Sequence, residues 1–435
     1  MIKIIKNISL LYGNNLRFIE HGFVQINDQG IIMDAGSMDT YSNNLPQNNM
    51  DIFDGEGFIV IPGFINAHTH IADSIGKDIY INSEFEERIH PIYGIKQKIL
   101  KNSKQEHLKY FIRNSAISML KKGIVAFADF REGGVEGIKL LLNSLSDLPI
   151  KSVILGRLEY YFDLKEYQIK KIRLDNKKNL NDQKIPSDLL SSVMNVLELG
   201  NGLGISGANE NTNLALKQYR YVFDQFNKHK FLKNKSMQKK IIAIHAAESK
   251  KTVAFSKKYT GKTEVERSII FLKPNLFIHM THATLNDLVL ASKNNIGIVI
   301  CPRSNGMLGN GIPDIPSMLK LGCKIAIGTD NIMVNSPDLL REVDYIWKVS
   351  RSQQTKYSVQ NDMRELLKMI TVNPGDLFNL NSGAIVKGKF ADLLFIDKFH
   401  LELQPIHNIY ASLIHRLTYD AIKAVMINGK FVNVD

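Results

Sequence analysis

Eight apolar segments of strand character alternate with helical stretches through the middle of this 435-residue chain, and no other feature narrows the fold so far. The strand segments are GFINAHTH, GIVAFADF, SVILGRLEY, GLGISGANE, KIIAIHAAE, NLFIHMTH, IGIVICP and CKIAIGTD. The spacing predicts helices over 105–122, 134–145, 187–199, 214–229, 251–270, 284–294, 338–350 and 362–380. In the first of these, Leu108, Phe111, Ile112 and Ser115 share one face. Near-continuous apolar strands need cover on both faces, which a parallel sheet wrapped by helices provides. Eight such units over roughly 320 residues fit an α/β fold of the (β/α)8 TIM-type barrel class. An open doubly wound sheet would carry a glycine-rich phosphate fingerprint after its first strand. His68-Thr69-His70 stands there instead.

The two ends read differently from the middle. IKIIKNISLLYG, GFVQINDQGIIMDAG and IFDGEGFIVIPG are short strands broken by Gly, Asn and Asp, and so are ADLLFID and AVMINGKFV near the other end. NGK between the last two apolar runs is a hairpin signal. Chain ends often lie close together, so residues 1–61 and 384–435 are expected to form one small β-sandwich domain around a barrel of residues 62–383. Residues 71–104 read as an excursion over the barrel mouth. The polar, Lys/Asn-rich stretch 163–186 reads as a surface insertion.

Composition removes other classes. Hydrophobic residues make up 44% and charged residues 23%, ordinary for a soluble globular protein. No run reaches the roughly 18 apolar residues of a membrane helix, and MIKIIKNISLLYGNN has no signal-peptide core. Two cysteines, Cys301 and Cys323, exclude a disulfide framework and point to the cytoplasm. Cys301 is expected in a buried strand. The net charge of +12 raises nucleic acid, membrane and anionic metabolites as partners. No RNA-binding motif supports the first, and the basic stretch 228–240 precedes the fifth strand, at the face away from a barrel's active site. The expected partner is a small molecule, with no membrane or nucleic acid involved; a homo-oligomer stays open.

Function in a parallel barrel gathers at the C-terminal strand ends. The first strand ends in His68 and His70, two residues apart and so on one face. The fifth ends in His245 with Glu248 beyond it, the sixth in His279 with His282 beyond it, and the eighth in Asp330. Any one of these is unremarkable as a core histidine or a capping carboxylate. Together they form a set suited to one divalent metal ion, with zinc ahead of iron or manganese. The fourth strand end, GLGISGANE, has no lysine to bridge two metals, which favours one. Glu248 is placed to shuttle a proton.

PGFINAHTH, IHAAES, LFIH, CPRSNGMLGNG and AIGTDN together resemble the metal-dependent amidohydrolase superfamily, nearest its cytosine-deaminase, guanine-deaminase and chlorohydrolase-like branch. DGEGFIVIPGFIN and GAIVKGKFADLLFID are similar to the β-domain segments of that family, so the likeness runs nearly end to end. It implies a single metal on His68, His70, His245 and Asp330. It implies that Glu248 is the proton shuttle and that His279 positions the water or polarises the leaving group. His282 is then a supporting or substrate-binding residue, and which histidine is the main catalytic one stays open. The chain departs from common deaminases in lacking the Trp-Leu pair after the first strand, and in FADFREGG and SGANE, so purine or adenosyl specificity stays open.

The reaction these residues imply is hydrolytic deamination of an aminated heterocycle, a nucleobase, nucleoside or pterin-like compound. A divalent ion supplies hydroxide at neutral pH, Asp330 accepts its proton and Glu248 protonates the ring nitrogen. The alternative is opening of a cyclic amide, or loss of a non-amine leaving group, on the same scaffold. A binding module without activity is at odds with an intact ligand set beside Glu248. Expected pocket residues are Asp73, Arg131, Glu132, Asn209, Glu210, His282, Arg303 and Asn305. Arg131 and Arg303 suit a carboxylate or phosphate, or form structural ion pairs.

Overall fold

The N-terminal strands are β1 (Ile2–Tyr12), β2 (Arg17–Ile26), β3 (Ile32–Ser37), β4 (Met50–Asp54) and β5 (Phe58–Pro62). The middle supplies β6 (Phe64–His70), β7 (Ile124–Arg131), β8 (Lys151–Gly156), β9 (Gly202–Ile205), β10 (Ile241–Ala246), β11 (Leu276–His279), β12 (Gly297–Ile300), β13 (Ile325–Ile327) and β14 (Asp330–Asn331). The last strands are β15 (Leu393–Asp397), β16 (Ile422–Ile427) and β17 (Lys430–Val432). This is a computed structural model, and it describes residues 2–41, 50–79, 94–158, 187–233, 239–353 and 363–433. The insertion read at 163–186 lies outside these residues, as do 80–93 of the mouth excursion and 234–238 of the basic stretch.

Strands β6 to β14 form a nine-stranded parallel sheet in the order β13-β12-β11-β10-β9-β8-β7-β6-β14. The expected eighth strand is two short pieces. Its first half, β13, pairs with β12, and its second half, β14, pairs with β6, so the sheet curls back on its own start. The architecture is α/β and consistent with a TIM-type barrel. All seven residues of β6 and all eight of β7 are buried, as the two-sided apolar pattern requires.

The turn between the two half-strands depends on glycine. A Cβ on Gly328 would lie 2.6 Å from the Cβ and the backbone nitrogen of His68. Only a residue without a side chain lets the eighth strand approach the first this closely. Thr329 N then donates to His68 O at 3.0 Å.

Two predicted helices are each broken in two. The stretch 251–270 is Lys250–Thr260 and Glu264–Phe271. Gly261 ends the first helix in the left-handed region at φ 70°, and Thr263 starts the second through a reciprocal capping box with Glu266. The stretch 362–380 is Met363–Lys368 and Val372–Leu377, with 362 itself outside the described residues. Between the two, the carbonyls of Met369 and Ile370 turn to accept the amides of Ile327 and Ile65. Barrel strands therefore take the hydrogen bonds that a continuous helix would keep. Cys301 is fully buried but sits one residue past β12, as N-cap of the short helix Pro302–Met307. Arg303 accordingly belongs to that helix and not to the strand.

Strands from both chain ends join one eight-stranded sheet, ordered β17-β16-β15-β5-β1-β2-β3 with β4 on β1. The Asn428-Gly429 hairpin has φ of 49° and 71°, the left-handed pair that a two-residue turn needs. This sheet has an apolar cluster of its own, including Ile5, Ile8, Val60, Leu393, Phe395 and Met426. Among the described residues, no helix is long and apolar enough to cross a membrane.

Candidate metal and proton-transfer site

Five of the six residues read as metal-binding or catalytic meet in one cluster at the strand ends. Ligand atoms of His68, His70 and His245 lie within 4.8 Å of one another, and so do those of His68, His279 and Asp330. His68 and His70 pack edge to face with ring centres 4.9 Å apart, and His70 and His245 are stacked at 5.7 Å. Phe130 forms the apolar floor, 4.6 Å from the His68 ring and 4.8 Å from the His245 ring. Asp330 Oδ1 is 3.4 Å from His68 Nε2 and 3.6 Å from His70 Nε2.

Backbone geometry at the strand ends is unusual. His279 has φ of 74° and Asp330 of 60°, values that non-glycine residues seldom adopt. Such conformations persist where surrounding structure enforces them, and they concentrate at working sites.

Burial sets the charge states. It pushes the imidazole of His70 down to about 3, with the ammonium of Lys96 adding to the effect, and it lowers His68 and His245 as well. The rings are thus neutral, the form that ligates a metal. Burial opposes ionisation of Asp330, but the neighbouring imidazoles, His68 first, hold its carboxyl well below the usual range. Ser304 Oγ and Asn331 Nδ2 donate to its two oxygens at 2.6 and 2.9 Å.

These donors fit a metal. Neither ring nitrogen of His68 has a hydrogen-bond partner, although the side chain is wholly buried. Buried polar atoms are almost always paired, and an ion held by Nε2, the nitrogen that faces Asp330 Oδ1 at 3.4 Å, would account for that atom. His70 offers Nε2 inward because its Nδ1 lies 2.8 Å from Glu132 Oε1. The ring of His245 is fixed the same way, by Ile205 O at 3.2 Å from Nδ1. Such outer partners set tautomer and orientation.

Glu248 stands beside this cluster, its Oε2 3.6 Å from His279 Nε2. Burial raises its carboxyl to about 7, with the His279 charge opposing and the charges of Asp330 and Glu210 reinforcing. Its turn is held from several sides. Ala247, at φ 51°, donates its amide to Glu264 Oε2 at 3.1 Å and accepts from the amide of His282 at 2.8 Å. Asn310 Nδ2 donates to Glu248 Oε1 at 3.3 Å, and the His282 ring bonds the Asn310 carbonyl.

The residues read as substrate contacts are scattered around this centre. Glu132 lies behind His70. Asp73 is buried and accepts the Met333 amide at 3.0 Å. Arg131 turns to the Gly137 carbonyl at 2.8 Å, with Nη1 3.9 Å from Glu132. Arg303 lies against Glu342, Nη1 to Oε1 at 3.6 Å, so both arginines stand beside carboxylates of the chain. Asn209 donates to the Thr252 carbonyl, and Asn305 to Thr281 Oγ1. Glu210 tucks an oxygen beneath Gly207, and burial raises its carboxyl. Four contributors escaped the sequence reading: Lys96, Ser304, Asn310 and Asn331. The last three sit inside the CPRSNGMLGNG and AIGTDN motifs, whereas Lys96 is one lysine in a lysine-rich helix.

The chain is similar to known proteins along nearly its whole length. A model described as "Amidohydrolase family" matches residues 59–432. A Methanothermobacter thermautotrophicus protein named "Putative aminohydrolase" is 34% identical over 379 residues, covering 87% of this chain and 88% of that protein. The 5-methylthioadenosine/S-adenosylhomocysteine deaminase of Thermococcus sibiricus is 24% identical over 437 residues, covering 99% and 93%. The crystal structure of a Xanthomonas campestris adenosine deaminase with bound zinc superposes with a TM-score of 0.74 at 18% identity, covering 99% of this chain and 92% of that one.

Proposed function

The chain belongs to the amidohydrolase family, and we propose that it is a metal-dependent hydrolase that deaminates an aminated heterocycle. One observation carries this reading. A carboxyl poised at about 7, Glu248, stands against His279 beside a nest of neutral imidazoles and an ionised Asp330. That is a proton donor and a proton acceptor in one site, with their acidities pushed apart.

His68, His70, His245 and Asp330 would hold one divalent ion, zinc first; the orphaned Nε2 of His68 supports this set. When bound, the ion supplies hydroxide at neutral pH. Asp330 receives the proton released as the nucleophile attacks the ring carbon bearing the amino group. Glu248 in its acid form protonates the adjacent ring nitrogen, so the tetrahedral species carries less charge. Asp330 then passes its proton to the leaving amino group and the hydroxyl of the tetrahedral species returns a proton to Glu248 as the C–N bond breaks, so ammonia leaves and the ring keeps a carbonyl beside an N–H. His279, beside Glu248, orients the attacked group.

Deaminase-named relatives support a nucleoside or nucleobase as substrate. The same reading divides the chain into a (β/α)8 barrel, 62–383, and a β-sandwich domain of 1–61 and 384–435, supported by the separate apolar cluster of the terminal sheet. A cytoplasmic location is in keeping with two free, buried cysteines.

The test is metal analysis followed by an ammonia-release screen over aminopurines, aminopyrimidines, pterins and their nucleosides. We expect about one zinc per chain and ammonia from one of these classes. Protein that holds zinc yet opens a cyclic amide without releasing ammonia would sink the deaminase assignment.

A further inference from the structure

The helix Ile95–Asn102 reads IKQKILKN, and its only buried residue is a lysine, Lys96, 3% exposed. A helix packed on a protein normally buries its apolar side chains. Ile95, Ile99 and Leu100 are here only half-buried, and the ammonium goes inside. Lysine is almost never fully buried unless it is paired.

Its partners explain the placement. Nζ is 2.6 Å from Glu132 Oε1 and 3.0 Å from Asn331 Oδ1, with Asp73 Oδ2 at 3.8 Å. Glu132 Oε1 also receives His70 Nδ1 at 2.8 Å. Asn331 Nδ2 donates to Asp330 Oδ1 at 2.9 Å. His70 Nε2 and Asp330 Oδ1 then face each other at 3.6 Å. The contacts close a ring: His70, Glu132, Lys96, Asn331, Asp330 and back to His70. Glu132 directly follows β7, β14 brings Asn331 and β6 brings His70, and the inserted helix ties the three together.

We propose that Lys96 is a positioning residue of the metal site, holding Glu132 on His70 and Asn331 on Asp330 with one ammonium. This rests on the reading that His70 and Asp330 are metal ligands. The two-armed grip suits lysine, whose ammonium carries three donors. The sign of its effect is diagnostic. By charge alone a buried cation repels a metal ion, so its removal would tighten zinc binding. Loss of orientation at two ligands does the opposite.

The experiment measures zinc affinity of the full chain by chelator competition, with no substrate present, after a melting curve has shown each variant folded. Lys96→Met is expected to lose about 10–100-fold in zinc affinity. Asn331→Ala is expected to lose less. The double variant should lose less than the sum of the two single losses, because both act partly through one chain of contacts. Zinc affinity in folded Lys96→Met that equals or exceeds wild type overturns the proposal, and so does strict additivity in the double variant. If Lys96→Met does not fold, Lys96→Gln carries the same expectation and the same refutation. A wild-type chain that binds no zinc defeats the ligand assignment itself, an outcome distinct from a zinc-binding wild type that is indifferent to Lys96.

Discussion

Glu248 and His279 reach each other from the ends of different strands, Oε2 to Nε2 at 3.6 Å. Burial raises the Glu248 carboxyl to about 7. Glu248→Gln removes the exchangeable proton and keeps the shape. Turnover should fall by about 10²–10⁴-fold while zinc content stays at the wild-type level. Atomic absorption beside steady-state kinetics checks both halves, and near-normal turnover would remove Glu248 from the reaction.

Asn310 fixes the other oxygen of that carboxyl. Asn310→Ala leaves Glu248 free to swing. We expect kcat to drop about tenfold, the worth of one hydrogen bond to a charged or polar group, with zinc content unchanged. Loss of zinc along with kcat would place Asn310 in support of the metal instead.

His68 has no hydrogen-bond partner at either ring nitrogen. His68→Ala takes away the Nε2 that faces Asp330 Oδ1 at 3.4 Å, and its effect should appear as lost zinc. A fully metallated variant would exclude His68 as a ligand.

Ser304 donates to Asp330 Oδ2 at 2.6 Å from the helix after β12. Ser304→Ala should weaken zinc about tenfold, in the range for residues that orient a ligand, and Ser304→Thr should restore part of it. Chelator competition reads both. Equal affinity in the alanine variant would show that Asp330 needs no such support.

Glu342 is fully buried, and burial raises its carboxyl to about 8, with the nearby Arg303 opposing. A folded value above the unfolded one means that the native state holds a proton the unfolded chain has released, across about 4.5 to 8. Stability must then fall as pH rises through that window. Glu342→Gln keeps an acceptor for the Arg303 amide and cannot ionise. Its melting temperature should decline less between pH 5 and pH 8.5 than that of the wild type. Parallel curves would refute the assignment.

The eight strand segments were legible because two-sided burial writes apolar runs into the sequence, and β6 and β7 are buried throughout. The candidate ligand types were legible because they fall at corresponding ends of those runs. Helix continuity was less so. The breaks at Gly261 and Thr371 depend on a local cap in one case and on distant strand amides in the other.

By itself the sequence determined the alternating architecture, the histidines and aspartate at the strand ends, and the membership they carry. Only the tertiary structure decided what surrounds them. In one dimension Arg131 and Arg303 suit either an anionic substrate group or structural ion pairs; in three they lie beside Glu132 and Glu342. Lys96 looks like one more surface lysine, yet it is buried between Glu132 and Asn331. The reason is physical. Apolar periodicity reports which face of an element is buried, whereas a buried charge is placed by partners that the chain brings from more than two hundred residues away, as with Lys96 and Asn331.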